Sequence, residues 1–201
     1  MQFKALPTVT VIKKEEKEAK LKAFITEHFA RREGAAIGQE ADRVYLLVAR
    51  SNDSPVVRAL ACALAESGAT DIALRALVLV PGNEPDNMWP AGLVDITDGR
   101  TTPDLRLLDA HEQLWLDSET VWVGDCMRRE PSKRDAYECY AFGCEETAKS
   151  VELAFNRLWE KGRALELEAT KLRPSDAPVV DPLVAHATQS EHVAPTASTR
   201  H

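Results

Sequence analysis

Apolar positions recur along this chain with changing periods, and each period predicts an element. In KKEEKEAKLKAFITEHFARREG, Leu21, Phe24, Ile25, His28 and Phe29 return at three and four residues while lysine and glutamate fill the other faces, which predicts an amphipathic helix ending at Gly34. Its first turns carry charge all round and are expected to project into water; His28, beside the stripe, is expected to pack or lie at the surface rather than bind a ligand. RVYLLVAR (43–50) is a continuous apolar run of strand length, the pattern of a strand buried on both faces. SNDSPVVRALACALAESG follows as a helix, with Ser54 as N-cap, Pro55 in the first turn, Val57, Leu60, Ala61, Cys62 and Leu64 toward the core, and Gly68 as the stop. DIALRALVLVP (71–81) predicts a second buried strand, so strand, helix and strand form a right-handed crossover with the two strands parallel.

Residues 81–104 are rich in Pro, Gly, Asn and Asp and read as a connector, with a brief strand at 93–96 and with Met88 and Trp89 pinning it to the core or lining a cleft. Short β-prone runs follow at 105–108, 113–116, 120–123 and 137–142, and Asp117, Ser118 and Glu119 form a tight turn that implies an antiparallel hairpin. CEETAKSVELAFNRLWEKG predicts a closing helix with Val151, Phe155, Leu158 and Trp159 on one face; RALELEA can extend it beyond Gly162. From Leu172 onward repeated prolines and small polar residues offer no periodic apolar face, so a disordered tail is expected, and its histidines, His186, His192 and His201, receive no role. The expected organisation is an N-terminal segment and helix over 1–38, an α/β domain over 39–171 and the tail over 172–201.

Composition narrows the class. With 201 residues, 44% hydrophobic and 28% charged, the chain suits one soluble globular domain. No apolar run approaches the roughly 20 residues that span a bilayer, and the N-terminus lacks a secretory pattern, so a cytoplasmic protein is expected. A net charge of -7 and a pI near 5.3 argue against bulk nucleic-acid coating while leaving room for a local basic patch. The four cysteines form no C-x-x-C pair and are expected to be reduced and mostly buried. A zinc set drawn from His111, Cys126, Cys139 and Cys144 would have unusual spacing, and neither a metal nor a cofactor is expected. The glycine-rich nucleotide fingerprint, the P-loop, the nucleophile elbow and H-E-x-x-H are all absent from the sequence.

The chemistry-bearing stretch is DLRLLDAHEQLWLDSETVWVGDCMRREPSKRDAYECYAF (104–142). Asp117 is followed after six residues by Gly124; further on stand Glu138 in AYECYAF and a helix with Phe155 and Trp159. This layout, from about Arg43 to Gly162, resembles one half of a phospholipase D-like protein. The resemblance implies a mixed β-sheet flanked by helices and a fingerprint H-x-K-x-x-x-x-D, then G-S-x-N, then a strand with an acidic residue. It also implies a histidine that attacks phosphorus, a lysine and small polar groups that neutralise the phosphoryl oxygens, and two motif copies meeting across a twofold axis.

Several fingerprint positions are replaced. Set on Asp117 without a gap, the motif puts Ala110 and Glu112 in the histidine and lysine positions; aligning His111 and Gln113 with them requires a one-residue deletion. Neither register restores the lysine, and Asp125 and Met127 stand for the serine and asparagine. The candidate catalytic residues are His111 and Asp117. Gln113, Asp125, Arg128, Arg129, Lys133, Arg134 and Glu138 are the candidate ligand-binding residues, the arginines because their planar forks suit a phosphate. Each has a plainer role open to it: a hydrogen-bonded histidine at a strand start, a turn aspartate, a solvated basic loop paired with Glu130 and Asp135.

The sequence thus predicts an α/β fold, a phospholipase D-like half with a charged N-terminal helix and a disordered C-terminal tail. The leading functional reading is a catalytically degenerate domain that works by binding or assembly, as a homodimer, with a phosphate-bearing ligand as the candidate partner. Beside it stand a homodimeric phosphodiesterase of phospholipase or nuclease type with His111 as nucleophile, and a small-ligand or nucleotide-binding domain using the Ser51–Ser54 turn at a helix N-terminus.

Overall fold

Strand alternation sorts the buried side chains onto the two faces of one sheet. The computed structural model describes residues 7–33, 44–69, 71–79, 88–102, 111–125 and 135–169, all within one compact unit from Met1 to Lys171. In chain order these form β1 (Thr8–Lys13), α1 (Lys17–Glu33), β2 (Val44–Ala49), α2 (Pro55–Ser67), β3 (Ala73–Val78), β4 (Met88–Trp89) and α3 (Ala91–Val94). They continue as β5 (Thr97–Thr101), β6 (Gln113–Trp115), β7 (Val121–Val123), β8 (Asp135–Ala141), α4 (Glu145–Trp159), β9 (Arg163–Ala164) and β10 (Glu168–Ala169).

The main sheet has eight strands in the order β1-β8-β7-β6-β2-β3-β5-β9. β2, β3 and β5 run parallel, and the pairs from β1 to β6, together with β5–β9, are antiparallel. On one face Tyr45, Leu47, Leu74, Ala76, Leu114 and Trp122 pack against α1 through Leu21, Phe24, Ile25 and Phe29 and against α2 through Val56, Val57, Leu60 and Leu64. On the other face α4 lays Phe155 and Trp159 over Leu46, Val48 and Leu77, and Ala148 and Val151 over Val121 and Ala141. This is the mixed sheet with flanking helices that the resemblance implies. The tight turn is also present: the Glu119 amide donates to Asp117 Oδ1 at 2.8 Å and the Leu116 amide to the Thr120 carbonyl at 3.0 Å. Gly68 ends α2 in the left-handed region at φ 64°.

Several expectations are corrected. TVTVIK is an edge strand, β1, paired along its whole length with β8; Ile12 is buried while Val9 and Val11 are half-exposed, as an edge strand covered on one face requires. The charged start of α1 does not simply project into water, because the Lys17 side chain is only 13% exposed and packs on the sheet. Cys62 is exposed, not buried, whereas Cys139 and Cys144 are buried. Residues 91–94 are a helical turn behind Pro90 and the strand comes later, in the polar run TDGRT, because Leu93 is drawn into the core and β5 is sheltered between β3 and β9. RALELEA does not extend α4. A side chain at Gly162 would approach Leu77 and Arg100 to 3.0 Å, so the chain passes close to the sheet there and turns back as β9 along β5. Met88 and Trp89 pin their segment: Trp89 is fully buried, and the pair forms a small parallel ladder with β10. The run expected at 105–108 and the tail lie outside the described residues.

Deleting residues 1–13 removes β1 and with it a buried isoleucine worth ~1.5–3 kcal/mol. The melting temperature is therefore expected to fall by about 4–10 °C. An unchanged melting curve by circular dichroism would contradict the placement of β1 in the sheet.

Candidate functional site

The C-terminal ends of β2, β3 and β5 share one edge of the sheet. β6 begins at that edge, with Gln113 opposite Val48, and β7 finishes there, with Val123 opposite Gln113. The ladder extends one step further, since the Gly124 amide donates to the Glu112 carbonyl at 2.8 Å. Trp122 stands beside Tyr140, and Glu138 lies one alternation further along the same face of β8. Glu112, Trp122, Glu138 and Tyr140 thus all face α1.

The first turn of α1 delivers an ammonium into this group. Lys17 Nζ lies 3.1 Å from Glu112 Oε2, 3.5 Å from Glu138 Oε1 and 4.9 Å from the centroid of the Trp122 ring. Glu112 is held at its other oxygen as well, where Oε1 accepts the Arg50 amide at 3.2 Å. Glu138 is fully buried and neither of its oxygens has a hydrogen bond of good geometry. Burial pushes its carboxyl above the usual range, against the opposing pull of Lys17, the Asp125 amide and the Trp122 indole. Burial likewise raises the Tyr140 hydroxyl, and the neighbouring Glu138 raises it further.

Gly124 makes this arrangement possible. A Cβ there would stand 2.7 Å from two Trp122 ring atoms and 3.3 Å from Lys17 Nζ, so the indole and the ammonium use the space a side chain would fill. The next residue, Asp125, leaves β7 with φ 47°, the one positive φ on a non-glycine residue among those described.

The residues singled out from sequence divide by location. Glu138 and Asp125 belong to this cluster, Asp125 through its amide. His111 is half-buried and adjoins it in sequence, but no hydrogen bond or ion pair joins it to Lys17, Glu112 or Glu138. Gln113 is buried on the opposite face, beside Val48 and Val123. The residue facing Glu138 is thus Glu112, which holds the lysine position in the gapless register.

Asp117 sits at the far end of the hairpin, where its Oδ2 lies 3.4 Å from Nδ1 of the buried His28, whose Nε2 is 3.4 Å from the Tyr45 hydroxyl. Burial pushes that hydroxyl up to about 12. His111 and Asp117 are therefore separated by the length of β6. Cys126, Arg128, Arg129, Lys133 and Arg134 lie outside the described residues, and those described contain no group of three or more potential metal ligands. Lys17 and Trp122 were not legible as site residues. Trp122 shares the alternation phase of Leu114 and Gly124, which marks its face but not its neighbours.

Comparison with solved structures identifies the fold. Nuc from Salmonella typhimurium, a phospholipase D family member, superposes with a TM-score of 0.50 at 15% identity, over 79% of this chain and 98% of that one. The chain has a phospholipase D-like fold. Looser likenesses are NucT from Helicobacter pylori, at TM-score 0.46 and 11% identity over 80% of this chain and 100% of that one, and the archaeal chromatin protein TrmBL2, at TM-score 0.47 and 13% identity over 78% and 54%. No protein-family model matches the sequence, and no curated protein matches it. Among the described residues of this phospholipase D-like domain, no helix is long and apolar enough to cross a membrane.

Two substitutions test the cluster. Gly124→Ala is expected to destabilise the protein by about 1–3 kcal/mol through overpacking against Trp122. Gly92→Ala, where a Cβ meets nothing within 4 Å, serves as the neutral control in the same urea titration. Lys17→Met, which leaves the buried Glu112 carboxylate without its counter-charge, is expected to cost ~3–5 kcal/mol. A loss under about 1 kcal/mol, the range of exposed pairs, would mean that the cluster is solvated.

Proposed function

We propose that this chain is a catalytically silent phospholipase D-like module that works by binding or assembly. The observation that carries this reading is the ion cluster of Lys17, Glu112 and Glu138 over Trp122. Phosphoryl transfer through a histidine needs a nucleophile and unpaired positive charge at the same point. Here the lysine position of the gapless register holds a carboxylate, a second carboxyl faces it, and the one ammonium between them is already committed to both. Trp122 fills the space below, and Asp125 replaces the serine that would have favoured phosphoryl oxygens. An anion brought to this point would find no uncommitted positive charge, because the ammonium there is already paired.

Binding is assigned instead to the sequence that follows Asp125, whose Arg128, Arg129, Lys133 and Arg134 are suited to a phosphate-bearing partner. One motif copy per chain, with a phospholipase D-like fold, speaks for a homodimer as the working form.

The decisive assay is turnover of a chromogenic phosphodiester and of a phospholipid and DNA by the purified protein. None above background is expected. Turnover that disappears in His111→Ala would overturn the proposal and establish a phosphodiesterase in its place. Light scattering across the accessible concentration range is expected to report twice the chain mass; a strictly monomeric species would remove the dimer.

A further inference from the structure

We propose that the segment from Thr8 to Lys17 is a strap whose docking on the sheet is coupled to one proton on Glu138. The inference is independent of whether the domain is catalytic. The strap consists of β1, the 3-10 turn Lys14–Glu16 and the first residue of α1. Among the described residues β1 has a strand neighbour on one side only, its Val9 and Val11 are half-exposed, and Ile12 is its buried side chain of hydrophobic type. The 3-10 turn buries nothing. The strap is therefore held by one ladder, one apolar side chain and the ammonium of Lys17.

The ladder and the ammonium converge on one residue. Glu138 pairs with Thr10 in the register of β1 with β8, and its side chain meets Lys17 from the other end of the strap. Among the described residues the titratable and charged groups around it are Lys17 from α1, Glu112 ahead of β6 and Tyr140 on β8 itself; β7 adds the Trp122 indole and the Asp125 amide.

Charge counting decides the protonation. The single charge of Lys17 is balanced by Glu112 at 3.1 Å, so an ionised Glu138 leaves a second negative charge in a fully buried place, whereas a protonated one leaves the cluster neutral. Lifting the strap withdraws Lys17 and brings water to Glu138, which returns the carboxyl toward its ordinary value of 4.5. The docked state thus holds the proton more tightly than the lifted state. Docking is strongest at low pH, and lifting becomes easier as pH rises from the ordinary carboxyl value through the raised one, after which the dependence levels off.

Amide hydrogen exchange, expressed as protection relative to the unstructured rate over roughly pH 5 to 8, reads this opening directly. The β1 amides that donate to β8 are expected to be less protected than those of β3 and to open with little dependence on urea, because a strap exposes less surface than global unfolding. Their protection should fall by up to about tenfold per pH unit within the window, the slope of one coupled proton. In Glu138→Gln, which mimics the protonated carboxyl, the slope should vanish while protection at neutral pH is equal or higher. In Lys17→Met, β1 protection should drop relative to β3. The proposal is overturned if β1 opens only with the urea dependence of β3, if the slope persists in Glu138→Gln, or if Lys17→Met leaves β1 as protected as before.

Discussion

Taking an ammonium out of water costs several kcal/mol unless charge of the opposite sign meets it at close range. In this fold that requirement draws together stretches of chain far apart in sequence. Lys17 comes from the first turn of α1, Glu112 from the entry to β6, and Glu138 from the middle of β8. The entry angle of α1 follows from it, because the helix must start where Lys17 can reach both carboxyls and still run Leu21, Ile25 and Phe29 along the sheet. The backbone around Glu112 is fixed from both sides, by the Arg50 amide on its side chain and the Gly124 amide on its carbonyl. Charge and apolar packing therefore agree on one docking geometry, which is the condition for a buried ion cluster to specify a structure rather than merely weaken it.

The elements that were plain in the sequence are those with long apolar runs or clear end signals. β2 and β3 lie inside the sheet and are apolar on both faces apart from the exposed start of β3 at Ala73 and Arg75, and α2 is bounded by Ser54-Pro55 and Gly68, which act through backbone geometry alone. What was hidden sits at the margins. β1 exposes one face and is followed at once by KKEEKEAK, so its alternation is too short to stand out. β5 is a strand made of Thr, Asp, Gly, Arg and Thr, residues chosen by the edge they lie near rather than by strand propensity. The end of α4 is decided by how closely Gly162 passes Leu77 and Arg100, a contact between segments that no local period records.

The site was legible to a similar depth. Glu138 and the replaced lysine position at Glu112 could be named from spacing. Lys17 could not, since it is chemically identical to Lys13, Lys14, Lys20 and Lys22 around it, and only the fold selects which lysine is buried. His111 and Asp117 carried the clearest motif signal, yet β6 holds them at its two ends, and Asp117 is taken up by the turn and by His28. A titratable residue in a familiar spacing marks a position on the sheet; the side chains that converge there decide what that position can do.

The close approach of Trp122 to Gly124 bears on how this domain can change. An indole that occupies the place of a Cβ on Gly124 and lies under a lysine ammonium leaves no spare volume between them. Replacing Glu112 by lysine alone would set two ammonium groups against one buried carboxyl. Shrinking Trp122 alone would leave a void beneath Lys17, and substituting Asp125 alone would leave the pocket as full as before. Opening a positively charged pocket there therefore requires at least one step that loses stability. The packing acts as a ratchet, holding the domain to the uses that its surface and its edges allow.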